Sequence, residues 1–257
     1  MQLKDKVIIL TGAARVGKTV ARYLGSKGAH LAITYLTHQV EGEFVCEECS
    51  AVGSKSIAVK ADLSKAEDIK NLIAETKKQF GRIDGLVHMA AIYPRTPWPA
   101  LTEADWDKNM NVIAKSTFLL GKMVGTEMLK SEGEDVLNNG QKIGKVKGKI
   151  ITFSDWSVLT RPYKDYLPYN VAKAAVTALT KSLAKELAPD VLVNAVAPGP
   201  ILMPPDLSEE DNREVMKNTP LERWGGEEEI AKAVMYLMDA DFVTGQVLFV
   251  DGGRSIA

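Results

Sequence analysis

Short runs of apolar residues alternate along the chain with longer segments in which apolar residues recur at helical spacing. The short runs are rich in β-branched residues and show no polar alternation, which is typical of strands buried on both faces of a sheet. They predict strands at 6–10, 31–35, 56–63, 84–91, 147–155, 191–199 and 246–253. The longer segments predict a helix that ends near Gly28 and further helices at 39–51, 66–80, 103–130, 168–187 and 227–238.

Strands that alternate with helices indicate a parallel sheet, and right-handed crossovers place the helices on both of its faces. We therefore expect an α/β fold built on a doubly wound parallel sheet of about seven strands. A chain of 257 residues can bury a large core, and neither a repeat nor a linker divides it. The sequence thus predicts a single domain over 1–257.

Two segments interrupt this alternation. Residues 130–148 are polar and contain Asn139-Gly140, a hairpin or turn signal, so we expect a surface insertion there. Residues 200–226 are irregular and follow the sixth predicted strand. Because loops after the carboxyl ends of strands bind ligands in open α/β sheets, we interpret 200–226 as a mobile substrate lid.

Charge and composition narrow the class of protein. The chain has 32 basic and 33 acidic residues, and this balance argues against a surface for nucleic acid or membrane. The apolar run before Thr11 has four residues, too few for a signal-peptide core, and no apolar stretch reaches the length of a bilayer span. We expect a cytoplasmic protein that acts on a small molecule.

The two cysteines, Cys46 and Cys49, lie in an acidic segment that is compatible with a helix. A redox or metal-binding pair is one interpretation of this spacing. No second pair accompanies them, and the three histidines are scattered along the sequence. We therefore predict free thiols and no metal site.

A glycine-bearing turn joins the first predicted strand to the first predicted helix. Gly12 permits a tight turn, and the amides of Ala14, Arg15, Val16 and Gly17 then lie at a helix N-terminus, where a pyrophosphate can bind. The alternative is a tight turn without a ligand. The position of the turn, directly after the first strand, favours a dinucleotide site.

The second and third predicted strands indicate which nucleotide binds. Tyr35 stands where a carboxylate would bind the adenosine ribose and repel a 2′-phosphate, and Arg15 is placed to neutralise such a phosphate. We therefore favour NADP(H) over NAD(H). Asp62 and Leu63 end the third strand and are expected to face the adenine ring; the alternative for Asp62 is an N-cap of the helix that starts near Ala66.

Tyr169 and Lys173 are the leading candidates for chemistry. They are four residues apart on a predicted helix and therefore share one face. A nearby cation lowers the pKa of a tyrosine from about 10, so we expect Tyr169 to act as a general acid. The alternative is a half-buried tyrosine beside a solvated lysine.

Several motifs together resemble the classical short-chain dehydrogenase/reductase family over essentially the whole chain. They are TGAARVGK at 11–18, ADL at 61–63, YNVAK at 169–173, VNAVAPGPI at 193–201 and VTGQVLFVDGG at 243–253. The resemblance implies a Rossmann-type fold and hydride transfer between a nicotinamide and a carbonyl, alcohol or imine. It implies that Tyr169 donates a proton, that Lys173 also holds the nicotinamide ribose, and that Ala90, Pro198, Gly199 and Ile201 contact the cofactor. It also implies a homodimer or homotetramer joined through the helices at 103–130 and 168–187.

Departures from the family pattern carry information about the substrate. The glycine-bearing turn is one residue shorter than the glycine motif of the family and resembles the form of this motif in pteridine reductases. The asparagine that the family carries on its fourth helix falls on Ile113 here, and Asn111 lies two positions earlier. The motif context places Asp155 where the family has its active-site serine, with Ser154 just before it. An aspartate there resembles pteridine and dihydromonapterin reductases, because a carboxyl can orient a heterocycle or relay a proton. The alternative makes Asp155 a loop cap and gives Ser154 the role of the hydroxyl.

These residues support three hypotheses. The first is an NADPH-dependent reductase of a carbonyl or C=N group, with a pterin as a candidate substrate and with Tyr93 and Trp98 either stacking on its flat ring or packing against the lid. The second is an enzyme similar to 3-oxoacyl-carrier-protein reductases or to sugar and alcohol dehydrogenases. The third, from another class, is a nucleotide-binding regulator without catalytic activity.

Overall fold

The computed structural model describes residues 1–205 and 207–257, and over these it shows a parallel sheet of seven strands. The strands of this sheet are β1 Val7–Thr11, β2 His30–Tyr35, β3 Ser56–Lys60, β4 Gly85–His88, β7 Gly148–Phe153, β8 Val191–Pro198 and β9 Val247–Val250. Their spatial order is β3-β2-β1-β4-β7-β8-β9, which confirms the doubly wound topology.

Helices cover both faces of the sheet, as the alternation of elements predicts. They are α1 Val16–Ser26, α2 Gln39–Ala51, α3 Ala66–Phe80, α4 Glu103–Asn109, α5 Ser116–Leu129, α6 Leu167–Leu187, α7 Glu209–Lys217 and α8 Glu227–Asp239. One core layer packs under α1, α2 and α8, and the other packs under α3, α5 and α6. None of these helices is long and apolar enough to cross a membrane, within the residues described.

The first strand shows why its sequence has no polar alternation. Ile8 and Leu10 pack into the layer under α1 and α8, whereas Ile9 packs into the opposite layer. Successive side chains of a strand point to opposite faces, so a strand covered by helices on both sides needs apolar residues at every position. All three are fully buried.

The segment predicted as a surface insertion forms an antiparallel hairpin outside the main sheet. Its strands are β5 Glu134–Asn138 and β6 Gln141–Val146. Asn139 and Gly140 form the turn with φ of 49° and 78°, the left-handed values that a two-residue hairpin turn requires. An ion pair between Lys6 and Glu134 ties the hairpin to the start of β1.

The prediction of a single α-helix over 103–130 is wrong for the middle of this segment. The chain forms α4, then a wider π-helical segment at Met110–Lys115, and then α5. Thr102 begins α4 with a capping box, in which its hydroxyl accepts from the Asp105 amide and Asp105 accepts from the Thr102 amide. Wide turns of this kind occur often near functional sites, and this one lies beside α6.

The predicted lid contains the short helix α7 and irregular chain on either side of it. Ser208 caps α7 by accepting a hydrogen bond from the Asp211 amide at 3.1 Å. Asp206 belongs to the predicted lid and lies outside the described residues.

Two glycines let α5 approach α6 closely. A methyl group added at Gly121 would lie 2.4 Å from Leu183 Cδ1, and one added at Gly125 would lie 2.8 Å from Leu187 Cδ1. Side chains at these positions would push the helices apart. This contact therefore fixes where α6 lies relative to the sheet.

We predict that Gly121→Val lowers the free energy of unfolding by about 1–3 kcal/mol, because the added methyl groups overpack the contact between α5 and α6. Urea denaturation measures the change. The matched control is Gly144→Val on β6, where an added Cβ meets no atom within 4 Å. Equal effects of the two substitutions would contradict the close approach of the helices.

Candidate active site

Two cavities adjoin at the carboxyl ends of the central strands. We call the first, of about 470 Å³, the cleft; of the predicted residues it is lined by Gly12, Ala14, Arg15, Tyr35, Asp62, Leu63 and Ala90. We call the second, of about 520 Å³, the chamber; it is lined by Arg15, Val16, Ser154, Asp155, Tyr169, Lys173, Pro198, Gly199 and Ile201. Arg15 and Met89 line both cavities. The structure thus brings the candidate nucleotide residues beside the candidate catalytic residues.

The turn after β1 fits a dinucleotide phosphate group. Gly12 has a φ of 73°, and a Cβ there would lie 2.6 Å from the Ala90 amide nitrogen, so any larger residue would collide with the backbone that follows β4. Arg15 has a φ of 49° and directly precedes α1. The prediction that the Gly17 amide binds the pyrophosphate is corrected by the structure. This amide donates within the turn to Ala14 O, and Gly17 packs under Gly12 and lines neither cavity.

The far end of the cleft carries the residues predicted to face adenosine. Tyr35 ends β2 and lines the cleft wall. Asp62 is not the N-cap of α3: Lys65 occupies that position, while Asp62 accepts hydrogen bonds from the amide and hydroxyl of Ser64. The bond from the Ser64 hydroxyl is the main cause that holds the pKa of Asp62 below its usual value.

Tyr169, Lys173 and Asp155 meet in the chamber. The phenol Oη of Tyr169 donates a hydrogen bond to Asp155 Oδ2 at 2.7 Å, and Lys173 Nζ lies 5.9 Å from the centre of the Tyr169 ring. Lys173 Nζ donates to Phe153 O at 2.6 Å. Tyr169 and Lys173 share one face of α6, as their spacing predicts. Lys173 is buried, which excludes the alternative of a solvated lysine.

The electrostatics of this group correct our expectation for Tyr169. Its pKa is raised well above the usual value, first by burial and then by the charge and hydrogen bond of Asp155. Burial also lowers the pKa of Lys173 to about 8, although Asp155 acts in the opposite direction. The sequence predicts a lowered tyrosine pKa because it shows the neighbouring amine but neither the desolvation nor the contact with the carboxylate.

Asp155, rather than Ser154, makes the contact with the phenol. Asp155 Oδ1 also accepts a hydrogen bond from the Ser157 amide, so the loop-cap role holds together with the contact to Tyr169. Ser154 Oγ bonds Thr177 Oγ1 at 2.7 Å and Lys173 O at 3.3 Å. The hydroxyl thus faces α6, which corrects the prediction of Ser154 as a catalytic group.

The position of the family asparagine is apolar here. Ile113 lies on the π-helical segment, is 1% exposed, and packs with Tyr169 and Val176. An isoleucine side chain offers no hydrogen bond. A relay through this position is therefore absent, and Asp155 is the polar partner that the structure gives the Tyr169 hydroxyl.

Residues 12–255 match a family model described as enoyl-(acyl carrier protein) reductase. A 3-oxoacyl-[acyl-carrier-protein] reductase from Staphylococcus epidermidis is 31% identical over 255 residues, which cover 97% of this chain and 98% of the relative. The chain belongs to the short-chain dehydrogenase/reductase family. It is therefore an oxidoreductase that binds a nicotinamide cofactor and acts on carbonyl or hydroxyl groups, which favours an enzyme over a non-catalytic regulator.

Solved structures of the short-chain family confirm the fold. A short-chain dehydrogenase/reductase from Serratia marcescens has a TM-score of 0.86 and 29% identity, with 99% of this chain and 100% of that chain covered. FolM alternative dihydrofolate reductase 1 from Brucella canis, complexed with NADP, has a TM-score of 0.85 and 29% identity, with 100% and 97% covered.

Aromatic residues form one wall of the chamber in this short-chain enzyme. Tyr93 stacks on Tyr166 with ring centres 4.3 Å apart and meets Tyr169 edge-on at 4.7 Å. Trp156 Nε1 donates to the Tyr163 hydroxyl at 2.7 Å. Trp98, for which we expect either stacking on a flat ring or packing against the lid, lines neither cavity and is 72% exposed, so it is not part of this wall.

Sequence reasoning misses several residues of the chamber. Trp156 and Tyr163 follow β7, Trp224 follows α7, and Arg254 lies near the C-terminus. None of the sequence motifs shared with the family contains Tyr163, Trp224 or Arg254. The signal that could identify them is position, because each lies in a loop or turn that returns to the carboxyl end of the sheet.

The two cysteines take no part in this site. Cys49 is buried and Cys46 is half-buried on α2, and both are free thiols. Burial raises the pKa of Cys49 to about 12, which makes it a poor nucleophile. Across residues 1–205 and 207–257, no cluster of histidine, cysteine and acidic residues has the geometry to hold a metal ion.

His88 ends β4, is buried, and organises a hydrogen-bond network beside Met89, a residue that both cavities share. Its Nδ1 bonds Thr11 Oγ1 at 2.7 Å, and its Nε2 bonds Ser116 Oγ at 3.0 Å. Ser116 Oγ donates to Val112 O, and Thr11 Oγ1 accepts from the Ala90 amide. These directions assign the Nε2–H tautomer, and they join β1, β4 and the π-helical segment in one network. Burial lowers the pKa of His88 to about 3.

We predict that His88 makes the protein less stable at acidic pH. In the unfolded chain His88 takes up a proton as the pH falls below about 6.5, whereas in the folded protein it stays neutral until about pH 3. The contribution of neutral His88 to the free energy of unfolding is therefore fully present above about pH 6.5 and is lost as the pH falls from 6.5 toward 3. Between pH 7.5 and pH 5 this contribution is about 2 kcal/mol. Urea unfolding at the two pH values should show that His88→Asn removes this part of the pH dependence.

His38→Gln is the matched control, because His38 is exposed and belongs to no such network. It should leave the dependence on pH unchanged. An unaltered dependence in His88→Asn would contradict the assignment of a buried, neutral His88.

Proposed function

We propose that this enzyme is an NADPH-dependent reductase of a carbonyl or C=N group, with Tyr169 as the proton donor. The observation that carries the proposal is the Tyr169–Asp155 hydrogen bond beside buried Lys173, in a chamber that adjoins the cleft. The cofactor, when bound, supplies a hydride. Gly12, Arg15 and Val16 would hold its phosphates, and Pro198 and Ile201 would line its nicotinamide end.

The raised pKa of Tyr169 suits reduction. A phenol that stays protonated at neutral pH is ready to give its proton to an oxygen or nitrogen on which negative charge develops. The ammonium of Lys173 stabilises the phenolate that remains, and Asp155 orients the phenol or the substrate heterocycle. The same high pKa leaves little phenolate at neutral pH, so oxidation of an alcohol, which needs the phenolate as its base, should be faster at higher pH.

The proposed preference for NADP(H) rests on Arg15 and Tyr35, although the cleft lining also contains the acidic residues Glu41 and Asp62. Arg15 lies at the turn, and Tyr35 stands where an acidic residue would repel a 2′-phosphate. Thr37 and His38, just after β2, also line the cleft and offer further polar groups. The structurally similar Brucella canis protein is complexed with NADP, which supports the same preference.

We favour a dihydropterin or a similar flat heterocycle as the substrate. Asp155 in place of a serine gives a carboxyl that can bond a ring nitrogen, and the stacked aromatic wall provides flat apolar surface. The similarity to an alternative dihydrofolate reductase supports this choice. The second candidate is a 3-oxoacyl thioester, which the similarity to 3-oxoacyl-[acyl-carrier-protein] reductases supports.

Two further proposals concern the parts around the site. The lid at 200–226 would close over substrate, since Pro204, Leu207 and Trp224 line the chamber. A homodimer or homotetramer would cover the exposed apolar residues of α5 and α6, among them Phe118 and Val171.

Three substitutions and a panel of substrates test the proposed function. Tyr169→Phe should bind NADPH but lose reductase activity by roughly 100-fold or more, because no group replaces its proton. Asp155→Ser should lose dihydropterin reduction by a similar factor and retain reduction of ketones. Ser154→Ala is the matched control and should have little effect, because the Ser154 hydroxyl faces α6.

Two outcomes would contradict these proposals. If 3-oxoacyl thioesters are reduced and dihydropterins are not, the choice of substrate is wrong. If Tyr169→Phe keeps its full activity, the proposed mechanism is wrong.

We predict that reduction slows as the pH rises through about 8, where the cation of Lys173 is lost. Because the charge of Asp155 raises the pKa of Lys173, Asp155→Asn should move this decline to lower pH. The measurement is kcat/KM against pH with NADPH saturating. Lys185→Gln, on an exposed position of α6, should leave the profile in place. A profile that is flat from pH 7 to 10 would contradict the role given to Lys173.

A further inference from the structure

The C-terminal turn of the chain carries Arg254 into the wall of the chamber. The guanidinium Cζ lies 5.2 Å from the centre of the Trp156 ring. Its Nη1 donates to Val215 O at 2.7 Å and to Thr219 Oγ1 at 3.2 Å. The chemistry proposed above for Tyr169 and Asp155 does not use this cation.

The backbone around Arg254 is held firmly. Asp251 is 8% exposed, and its two carboxylate oxygens accept from the amides of Gly253 and Ser255 at 2.9 Å and 2.8 Å. The Leu221 amide donates to Gly252 O, which ties the turn to the chain that follows α7. A side chain that starts from such a turn and leans on an indole ring needs little ordering when a ligand binds.

Arg254 keeps donors for a ligand. A guanidinium has five N–H groups, and both protein bonds of Arg254 come from Nη1. Over residues 1–205 and 207–257, Nη2 and Nε donate to no protein acceptor, and no carboxylate lies within 4 Å of the group. Among the described residues, the wall of the chamber therefore presents a positive charge whose Nη2 and Nε have no protein partner and can bind an anion.

Of the charged residues in the described lining of the chamber, Arg254 is the one that the proposed cofactor and chemistry leave for a substrate. The described lining contains three basic residues, Arg15, Lys173 and Arg254, and one acidic residue, Asp155. Asp155 is occupied by Tyr169 and the Ser157 amide. A planar carboxylate matches the arginine fork in two parallel hydrogen bonds, and the face of Trp156 beside it can receive the adjoining apolar part of a substrate.

We propose that Arg254 binds a carboxylate of the substrate, so that the enzyme prefers substrates that carry an acidic group at a distance from the reducible bond. The inference rests on the proposed function, since it takes the chamber as the place where the substrate is reduced. Arg254 contacts the substrate away from the reacting atoms, so it should act on KM far more than on kcat.

The test uses acids and their esters as matched substrates. Dihydrofolate is compared with its dimethyl ester, and 5-oxohexanoate with ethyl 5-oxohexanoate, each with NADPH. For the pair that is reduced, the native enzyme should favour the acid by roughly 10- to 100-fold in kcat/KM, the range expected for hydrogen bonds to a charged group. Arg254→Gln should lose this preference through a higher KM for the acid, with the ester unaffected. Arg254→Lys should retain part of it.

Two control variants separate recognition from structure. Thr219→Val removes the bond from Arg254 to the chain just after α7 but keeps the guanidinium. Arg161→Gln removes an exposed arginine that bonds Ala257 O at the C-terminus. Both should keep the preference for the acid. Equal rates for acid and ester in the native enzyme would overturn the proposal. An equal loss for acid and ester in Arg254→Gln would also overturn it, because it would give Arg254 a structural role.

If no substrate in the panel is reduced, the proposed function is refuted, but the role of Arg254 is still open to test. A binding experiment then decides it. The probes are 2-naphthoate and methyl 2-naphthoate, titrated by calorimetry into the NADPH-saturated protein. The proposal is supported if the native protein binds 2-naphthoate more tightly than methyl 2-naphthoate and if Arg254→Gln loses the binding of 2-naphthoate. Equal binding, no binding, or binding that persists in Arg254→Gln overturns it.

Discussion

The hydrogen bond from Tyr169 to Asp155, beside the buried amine of Lys173, is the interaction on which the rest of the site depends. An ammonium and a carboxylate withdrawn from water each lose hydration free energy, and a fixed geometry must compensate for that loss. Phe153 O accepts from the amine and the Ser157 amide donates to the carboxylate, so both ionisable groups have a backbone partner. The Tyr169 phenol stays protonated because burial and Asp155 oppose its ionisation.

The fold supplies this geometry from two neighbouring elements. Phe153 ends β7 and Asp155 follows it, while Tyr169 and Lys173 lie on the first turns of α6. The glycines of α5 allow α6 to lie close to the sheet, and the network of His88 joins the turn after β4 to the wide helical segment at Met110–Lys115. A small displacement of α6 would therefore separate the phenol from the carboxylate.

The sheet and most helices follow from local patterns, since continuous apolar runs and helical spacing are visible in short windows of sequence. The tyrosine–lysine pair follows from its spacing, and the hairpin follows from Asn139-Gly140. The break in the predicted helix at 103–130 does not, because Met110–Lys115 contains no proline or glycine to mark it. The orientation of Ser154, the direction of the pKa shift of Tyr169 and the place of Arg254 depend on contacts between distant parts of the chain. Local sequence patterns do not encode those contacts.

The ionisation of the Tyr169 phenol tests the central claim most directly. Carbon-13 labelling of the tyrosine ζ carbons, with Tyr169→Phe used to assign the signal, allows its titration to be followed by NMR in the native protein. The account predicts that the Tyr169 signal remains that of a protonated phenol up to and beyond pH 10, and that Asp155→Asn lowers its pKa. A Tyr169 signal that titrates below pH 10 in the native protein would contradict the claim that burial and Asp155 keep the proton on the phenol.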